Sequence, residues 1–261
     1  MAKSKSRNII IVAIAAFIAA ALISAGVFFV IRSNRTDDQP VAEGGPAVLT
    51  DAERFKQSYE SLNGTSTNSG KVYHDITISA NNPIVYIDIN EAIDLLSADQ
   101  AIIYVGGNWC PHCRNAVPIL LSVAKAYHLD KVYYLELDDT KSLFEWQDGA
   151  VVKTRDGSPE YYKLLDALSD HLRDYTISDD AGNDQPTGEK RIYIPYVLAI
   201  KDGEIVGEHV SDVASEDLED GQSAYDPLTT AQRDKLYGIY SGLFRAVYGE
   251  PQKDDCTEVC E

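Results

Sequence analysis

The 261-residue chain has four cysteines. They stand as two close pairs, Cys110 and Cys113 in "NWCPHCRNAVP" and Cys256 and Cys260 in "DDCTEVCE". A Cys-x-x-C pair serves as half a zinc site, a structural disulfide or a redox couple. A zinc site built from both pairs would need ligands very far apart in the chain, one pair spaced as C-x₃-C, which is poor zinc-finger spacing. No metal or other cofactor is expected. The thiolate is the reactive form of cysteine. His112, between the first two cysteines, would stabilise a Cys110 thiolate as a cation or hydrogen-bond donor.

The flanking segments show how the pair is held. "QAIIYVGG" is an apolar, β-branched run of the kind buried in a sheet. After the cysteines, Val117, Leu120, Leu121 and Ala124 share one face of a helix. Cys110 therefore stands at a helix amino end, where the dipole and free N–H groups favour thiolate. It is the expected nucleophile, and Cys113, one turn on, the more buried resolving thiol. Pro118 falls inside the same helix, where proline normally costs about 3 kcal/mol. Pro195 begins the strand "YVLAIKDGEIV".

The other elements read as follows. "DAERFKQSYESLNG" is a short helix capped by Asp51. "PIVYIDI" is a strand, "NEAIDLLSAD" a helix capped by Asn90, and "KVYYLELDD" a strand. "FEWQDGAVVKTRDG" is a small hairpin with Asp-Gly turns. "SPEYYKLLDALSDHL" is a helix opened by Ser158 and Pro159. "TISDDAGNDQPTGEK" is a long polar loop. Two strands joined by Asp202-Gly203 follow. Leu236, Ile239, Tyr240, Leu243, Phe244 and Val247 then mark one face of a terminal helix. Alternating strands and helices indicate an α/β fold with a central mixed sheet flanked by helices.

"NWCPHCRNAVP" together with "IYIPYVLAIKDGEIV" resembles the thioredoxin superfamily. In that family a Trp precedes the first Cys, a Pro lies five residues after the second, and a cis-Pro faces the pair. Trp109, Cys110, Cys113, Pro118 and Pro195 match those positions, with Ile194 as the partner in the cis bond. Pro111-His112 is the dipeptide of DsbA-type oxidases. "FKQSYESLNG" and the Cys256/Cys260 ending are similar to membrane-attached thioredoxin-like proteins of Gram-positive bacteria, some described as bacteriocin transport accessory proteins. The resemblance implies a thioredoxin-like fold over residues 81–249 and a thiol–disulfide oxidoreductase using Cys110, His112, Cys113 and Pro195. It departs at Tyr104, six residues before Cys110. There family members often carry a buried acid for the proton of the second cysteine, so proton transfer must use water or another group.

The amino end sets the expected compartment. Residues 1–8 carry Lys3, Lys5 and Arg7, and residues 9–31 carry no charge. That apolar stretch spans about 34 Å as a helix, enough to cross a bilayer core. Its basic start places the amino terminus in the cytoplasm and the rest outside. The run ends in "VFFVIRSNR", bulky and then basic, so an uncleaved signal anchor is expected in place of a cleaved signal peptide. The cysteines then lie where disulfides persist.

Residues 32–80 read as an extracytoplasmic linker with the short helix, and 250–261 as a mobile tail whose cysteines form a secondary redox pair or a passive local disulfide. A net charge of −18 and a pI near 4.6 argue against nucleic acid as a partner. The expected partners are exported proteins bearing thiols or disulfides, a further redox partner, and the membrane through the first helix. The competing reading is a non-catalytic binding or assembly factor on the same fold. The 16 tyrosines suggest packing and surface use only.

Overall fold

The computed structural model describes residues 48–214 and 217–251. The basic start, the apolar segment 9–31, the first part of the linker and the Cys256/Cys260 pair lie outside the described residues. No helix among the described residues is long and apolar enough to cross a membrane.

The first helix, α1 (Asp51–Glu60), is capped by Thr50 and not by Asp51. Thr50 Oγ1 accepts the Glu53 N–H while Glu53 Oε2 accepts the Thr50 N–H, a reciprocal capping box. Asp51 instead accepts the N–H of Tyr86 at 3.0 Å, tying the helix to strand β1 (Ile84–Tyr86). The next helix, α2 (Ile89–Leu95), begins two residues earlier than its sequence suggests, because Asp88, and not Asn90, forms a capping box with Glu91. Strand β2 (Gln100–Val105) follows, then α3 (Pro111–Ala126), β3 (Val132–Leu135) and the hairpin β4 (Leu143–Gln147) with β5 (Ala150–Arg155). Ser158 caps α4 (Pro159–Ala167) with Pro159 at its first position, as the sequence indicates.

The segment expected to be a polar loop is a second hairpin, β6 (Arg173–Ser178) and β7 (Asp184–Arg191). Its polarity misleads because only one face is partly covered. The Asp179 carboxylate closes the turn by accepting the N–H groups of Ala181 and Asn183. The chain ends in β8 (Tyr196–Lys201), β9 (Glu204–Val210) and α5 (Thr230–Tyr248). Asp202 and Gly203 both take positive φ, the backbone of a type I′ hairpin turn.

The central sheet has the order β1-β3-β2-β8-β9. β3 runs parallel to β1 and β2, whereas β8 runs antiparallel to β2 and β9. Strand periodicity divides its apolar residues between two faces. Ile102 and Tyr104 of β2 and Val197 and Ala199 of β8 meet α1, α3 and α5 on one face. Ala101, Ile103, Val105, Leu198 and Ile200 meet α2 and α4 on the other. The fold is thus α/β, with a mixed central sheet and helices on both sides. Phe55 and Tyr59 of α1 are fully buried in the first layer, so this helix is part of the packed unit and not of the linker.

Candidate functional site

The sheet register brings two distant segments together. Val105, the last residue of β2, pairs with Tyr196, the first of β8. The loop that leaves β2 toward the cysteines therefore meets the segment that enters β8. That segment contains the Ile194–Pro195 peptide bond, which is cis. The Cys110 thiol faces the Ile194 carbonyl at 3.9 Å.

Cys110 is the N-cap of α3, with extended backbone, and its Sγ accepts the N–H of Cys113 at 3.4 Å. Pro111 occupies the first helical turn, where no N–H is missed. Both cysteines are free thiols. Cys110 is 5% exposed and Cys113 fully buried. The Cys113 thiol, helped by its own N–H and the charge of His112, holds the Cys110 thiol below its ordinary range against the effect of burial. Burial, reinforced by neighbouring Cys110, pushes Cys113 well upward. The two sulfurs are thus differentiated, with thiolate favoured at Cys110 and thiol at Cys113.

His112 is held by a residue the sequence did not single out. Its Nδ1 lies 2.7 Å from Asp212 Oδ1. Asp212, only 4% exposed, follows β9 and also accepts the Asn115 side-chain amide at 3.1 Å and the Val213 N–H at 2.8 Å. This carboxylate raises the pKa of His112, mainly through the hydrogen bond. Burial pushes Asp212 up, but His112 and the N–H donors together hold it below the usual carboxylate range. Among 41 acidic residues nothing in sequence spacing marks Asp212. It reaches His112 because the β8–β9 hairpin returns the chain to the same end of the sheet.

The loop before Cys110 is braced from the amino-terminal segment. The Asn108 amide donates to Ser58 O and Oγ, and the Tyr73 hydroxyl donates to the Trp109 carbonyl at 2.7 Å. Arg114, next to Cys113 and fully buried, donates to Tyr59 O, Asn63 Oδ1 and His74 O. No sequence pattern signals this role, because all three acceptors lie some 40 or more residues upstream. Trp109 is 40% exposed, with its indole N–H on Asp138 and Lys141 over its ring.

Tyr104 is fully buried. Its hydroxyl pairs with that of Tyr59 at 3.0 Å and also acts on the Cys113 thiol. An added Cβ at Gly106 would stand 2.3 Å from the Tyr104 hydroxyl, so only glycine fits where this ring passes under the loop. Pro118 has no N–H to offer the Arg114 carbonyl, and it lines a separate cleft with Thr77, Asn82 and Leu121.

A mostly apolar cavity of about 320 Å³ opens beside Cys110. Trp109, Pro111, His112 and Ile194 form its near side, and Leu137, Tyr161, Tyr175, Arg191 and Tyr193 its far side. The structure therefore gathers Trp109, Cys110, Pro111, His112, Cys113, Ile194 and Pro195, but not Pro118, at one site. No cluster of three or more His, Cys, Asp or Glu side chains among the described residues is arranged to hold a metal ion. Comparison with protein-family models and with curated proteins finds no match for the chain.

Proposed function

We propose that the protein is a thioredoxin-like thiol–disulfide oxidoreductase, tethered to the cell membrane by its amino-terminal segment with the folded part outside. The observation that carries this reading is the placement of Cys110: a helix N-cap sulfur, beside a histidine held by a buried carboxylate, next to a buried partner thiol and open to a cavity. The compartment rests on the basic start and the uncharged stretch 9–31.

In the oxidising direction a substrate thiolate attacks Cys110 Sγ of the protein disulfide. The S–S bond breaks, Cys113 leaves as a thiolate and takes up a proton, and a mixed disulfide forms. A second substrate thiolate attacks the substrate sulfur of that bond and releases Cys110 as a thiolate. The substrate has lost two electrons and the protein holds a dithiol, which a separate disulfide-bearing partner reoxidises. Because the leaving Cys110 thiolate is stabilised, the reduced form is favoured and the disulfide is a stronger oxidant. Reduction of substrate disulfides follows the same steps in reverse, with Cys113 resolving the mixed disulfide.

The test uses the full-length protein in thiol-exchange assays run in both directions, insulin reduction and oxidative refolding of a reduced substrate. Activity in at least one is expected, and Cys113→Ala is expected to accumulate mixed disulfides through Cys110. Inactivity in both directions, with nothing trapped, supports a non-catalytic binding or assembly factor instead.

A further inference from the structure

The cavity beside Cys110 has in its wall a cation, Arg191, with no ion pair among the described residues, while the one carboxylate of that wall, Asp138, is engaged by Trp109 and Lys141. Arg191 ends β7, half-buried, with its guanidinium 4.2 Å above the Tyr175 ring and one hydrogen bond, to Ser142 O at 2.9 Å. It has no ion pair among the described residues. Neighbouring lysines differ, since Lys141 pairs with Asp138 at 2.8 Å and Lys190 with Asp174 at 3.0 Å.

A second arginine, Arg173, lies directly opposite Arg191 in the β6–β7 register and likewise has no ion pair. Like charges at facing positions of an antiparallel pair are destabilising. Both arginines also line an adjoining cavity of about 270 Å³, which shares Arg191 and Tyr193 with the first. His171 and His209 stand in that second cavity, and its one carboxylate, Glu208, is engaged by Tyr196 and His171. Two arginines without ion pairs among the described residues thus line a trough that runs away from Cys110 on a protein of net charge −18.

We propose that Arg191, with Arg173 opposite, selects polypeptide substrates that carry an acidic residue near the reacting cysteine and an apolar side chain beside it. The apolar side chain fills the cavity under Trp109 and Tyr161. The substrate carboxylate takes the free N–H groups of the guanidinium, whose planar fork suits a carboxylate. Stacking on Tyr175 and the bond to Ser142 O hold that fork in the cavity wall, so little ordering is needed on binding. The inference rests on the oxidoreductase reading and names the substrate class of the same site.

The net charge makes the opposite prediction, because an acidic molecule attracts basic peptides. The two are separated at about 0.15 M salt, where the screening length is about 8 Å and distant charge is suppressed. The experiment measures oxidation, by the disulfide form of the full-length protein, of two synthetic peptides with the sequence Phe-Cys at the centre, flanked by aspartates in one and by lysines in the other. The acidic peptide is expected to have the higher kcat/KM by about tenfold, the worth of one charge-assisted hydrogen bond, with most of the difference in KM. Arg191→Gln should bring the ratio to one or below, while Arg191→Lys, which keeps the charge, should keep part of it. Equal or greater reactivity of the lysine peptide with the native protein overturns the proposal, as does a preference that survives Arg191→Gln. If dithiothreitol reacts but the peptides are not distinguished, only the selectivity fails. If no thiol reacts, the oxidoreductase reading fails with it.

Discussion

Cys110 and His112 are separated by one residue, yet the chemistry of the pair depends on Asp212, 100 residues after His112. With its Nδ1 held by the carboxylate, the imidazole is kept in one orientation and its cation is favoured. Replacing His112 by Ala should raise the Cys110 pKa and make the couple more reducing, by about 30 mV for each tenfold loss of thiolate stabilisation. Thiolate absorbance against pH and equilibration with glutathione measure the two quantities. Asp212→Asn should act in the same direction with a smaller effect, and should add nothing in a His112→Ala background, because it works through the ring.

The pair also links stability to pH. The raised His112 pKa contributes stability that is full below its ordinary value of 6.5 and fades as pH rises through the raised value. The lowered Asp212 pKa contributes stability above its ordinary value of 3.8 that is lost as pH falls through the lowered value. The native protein should therefore exceed Asp212→Asn in thermal stability most clearly in mildly acidic solution. Equal melting profiles of the two proteins across that range would remove the pair as a source of pH dependence.

Helix α1 and strand β2 meet through tyrosine hydroxyls, one of which bears on the Cys113 thiol. Burial drives the Tyr104 pKa well above the ordinary value, so it acts as a hydrogen-bonding group and not as a base. Tyr104→Phe leaves the Tyr59 hydroxyl buried without this partner, at a cost of about 1–3 kcal/mol. It also removes the group that steadies a Cys113 thiolate. The variant should unfold at lower denaturant concentration and resolve mixed disulfides more slowly, read by quenched-flow trapping. Faster or unchanged resolution would exclude Tyr104 from the proton path. In the same layer Phe55 sits against Tyr59 and Tyr134, with ring centroids 4.5 and 4.8 Å away. Phe55→Ala should cost about 3–5 kcal/mol, far more than a helix in a flexible linker would show.

For the whole molecule, the consequence is that the folded unit begins near residue 49, upstream of the first sheet strand. The amino-terminal segment supplies Tyr59, Asn63 and His74 as acceptors for Arg114, and Ser58 and Tyr73 as braces of the loop before Cys110. A chain beginning at residue 49 should unfold cooperatively at the denaturant midpoint of the full protein. One beginning at residue 81 exposes the buried Arg114 without its acceptors. Losing the partners of a buried charge costs about 3–5 kcal/mol, a large share of the roughly 5–15 kcal/mol that holds a domain together. The shortened chain should show little cooperative unfolding by circular dichroism. A native-like transition would mean that the segment adds little to the stability of the fold.

The cysteine pair, the strand before it, the helix after it and the apolar faces of the terminal helix were legible because each depends on local spacing. A turn, a helical face and a β-branched run are encoded within a few residues. The caps at Thr50 and Asp88 were misjudged by one or two positions, because several acceptable cap residues stand side by side and the reciprocal glutamate decides among them. Polar composition concealed the β6–β7 hairpin, since a strand with little buried surface carries no hydrophobic period. The partners of His112, Tyr104 and Arg114 were beyond any sequence pattern. They are fixed by which strand ends share an edge of the sheet and by which helix covers its face. Sequence alone thus determined the cysteine pair and its local frame of strand and helix. Tertiary structure decided what surrounds them, because the energy of a buried charge or hydroxyl depends on groups brought near only by folding.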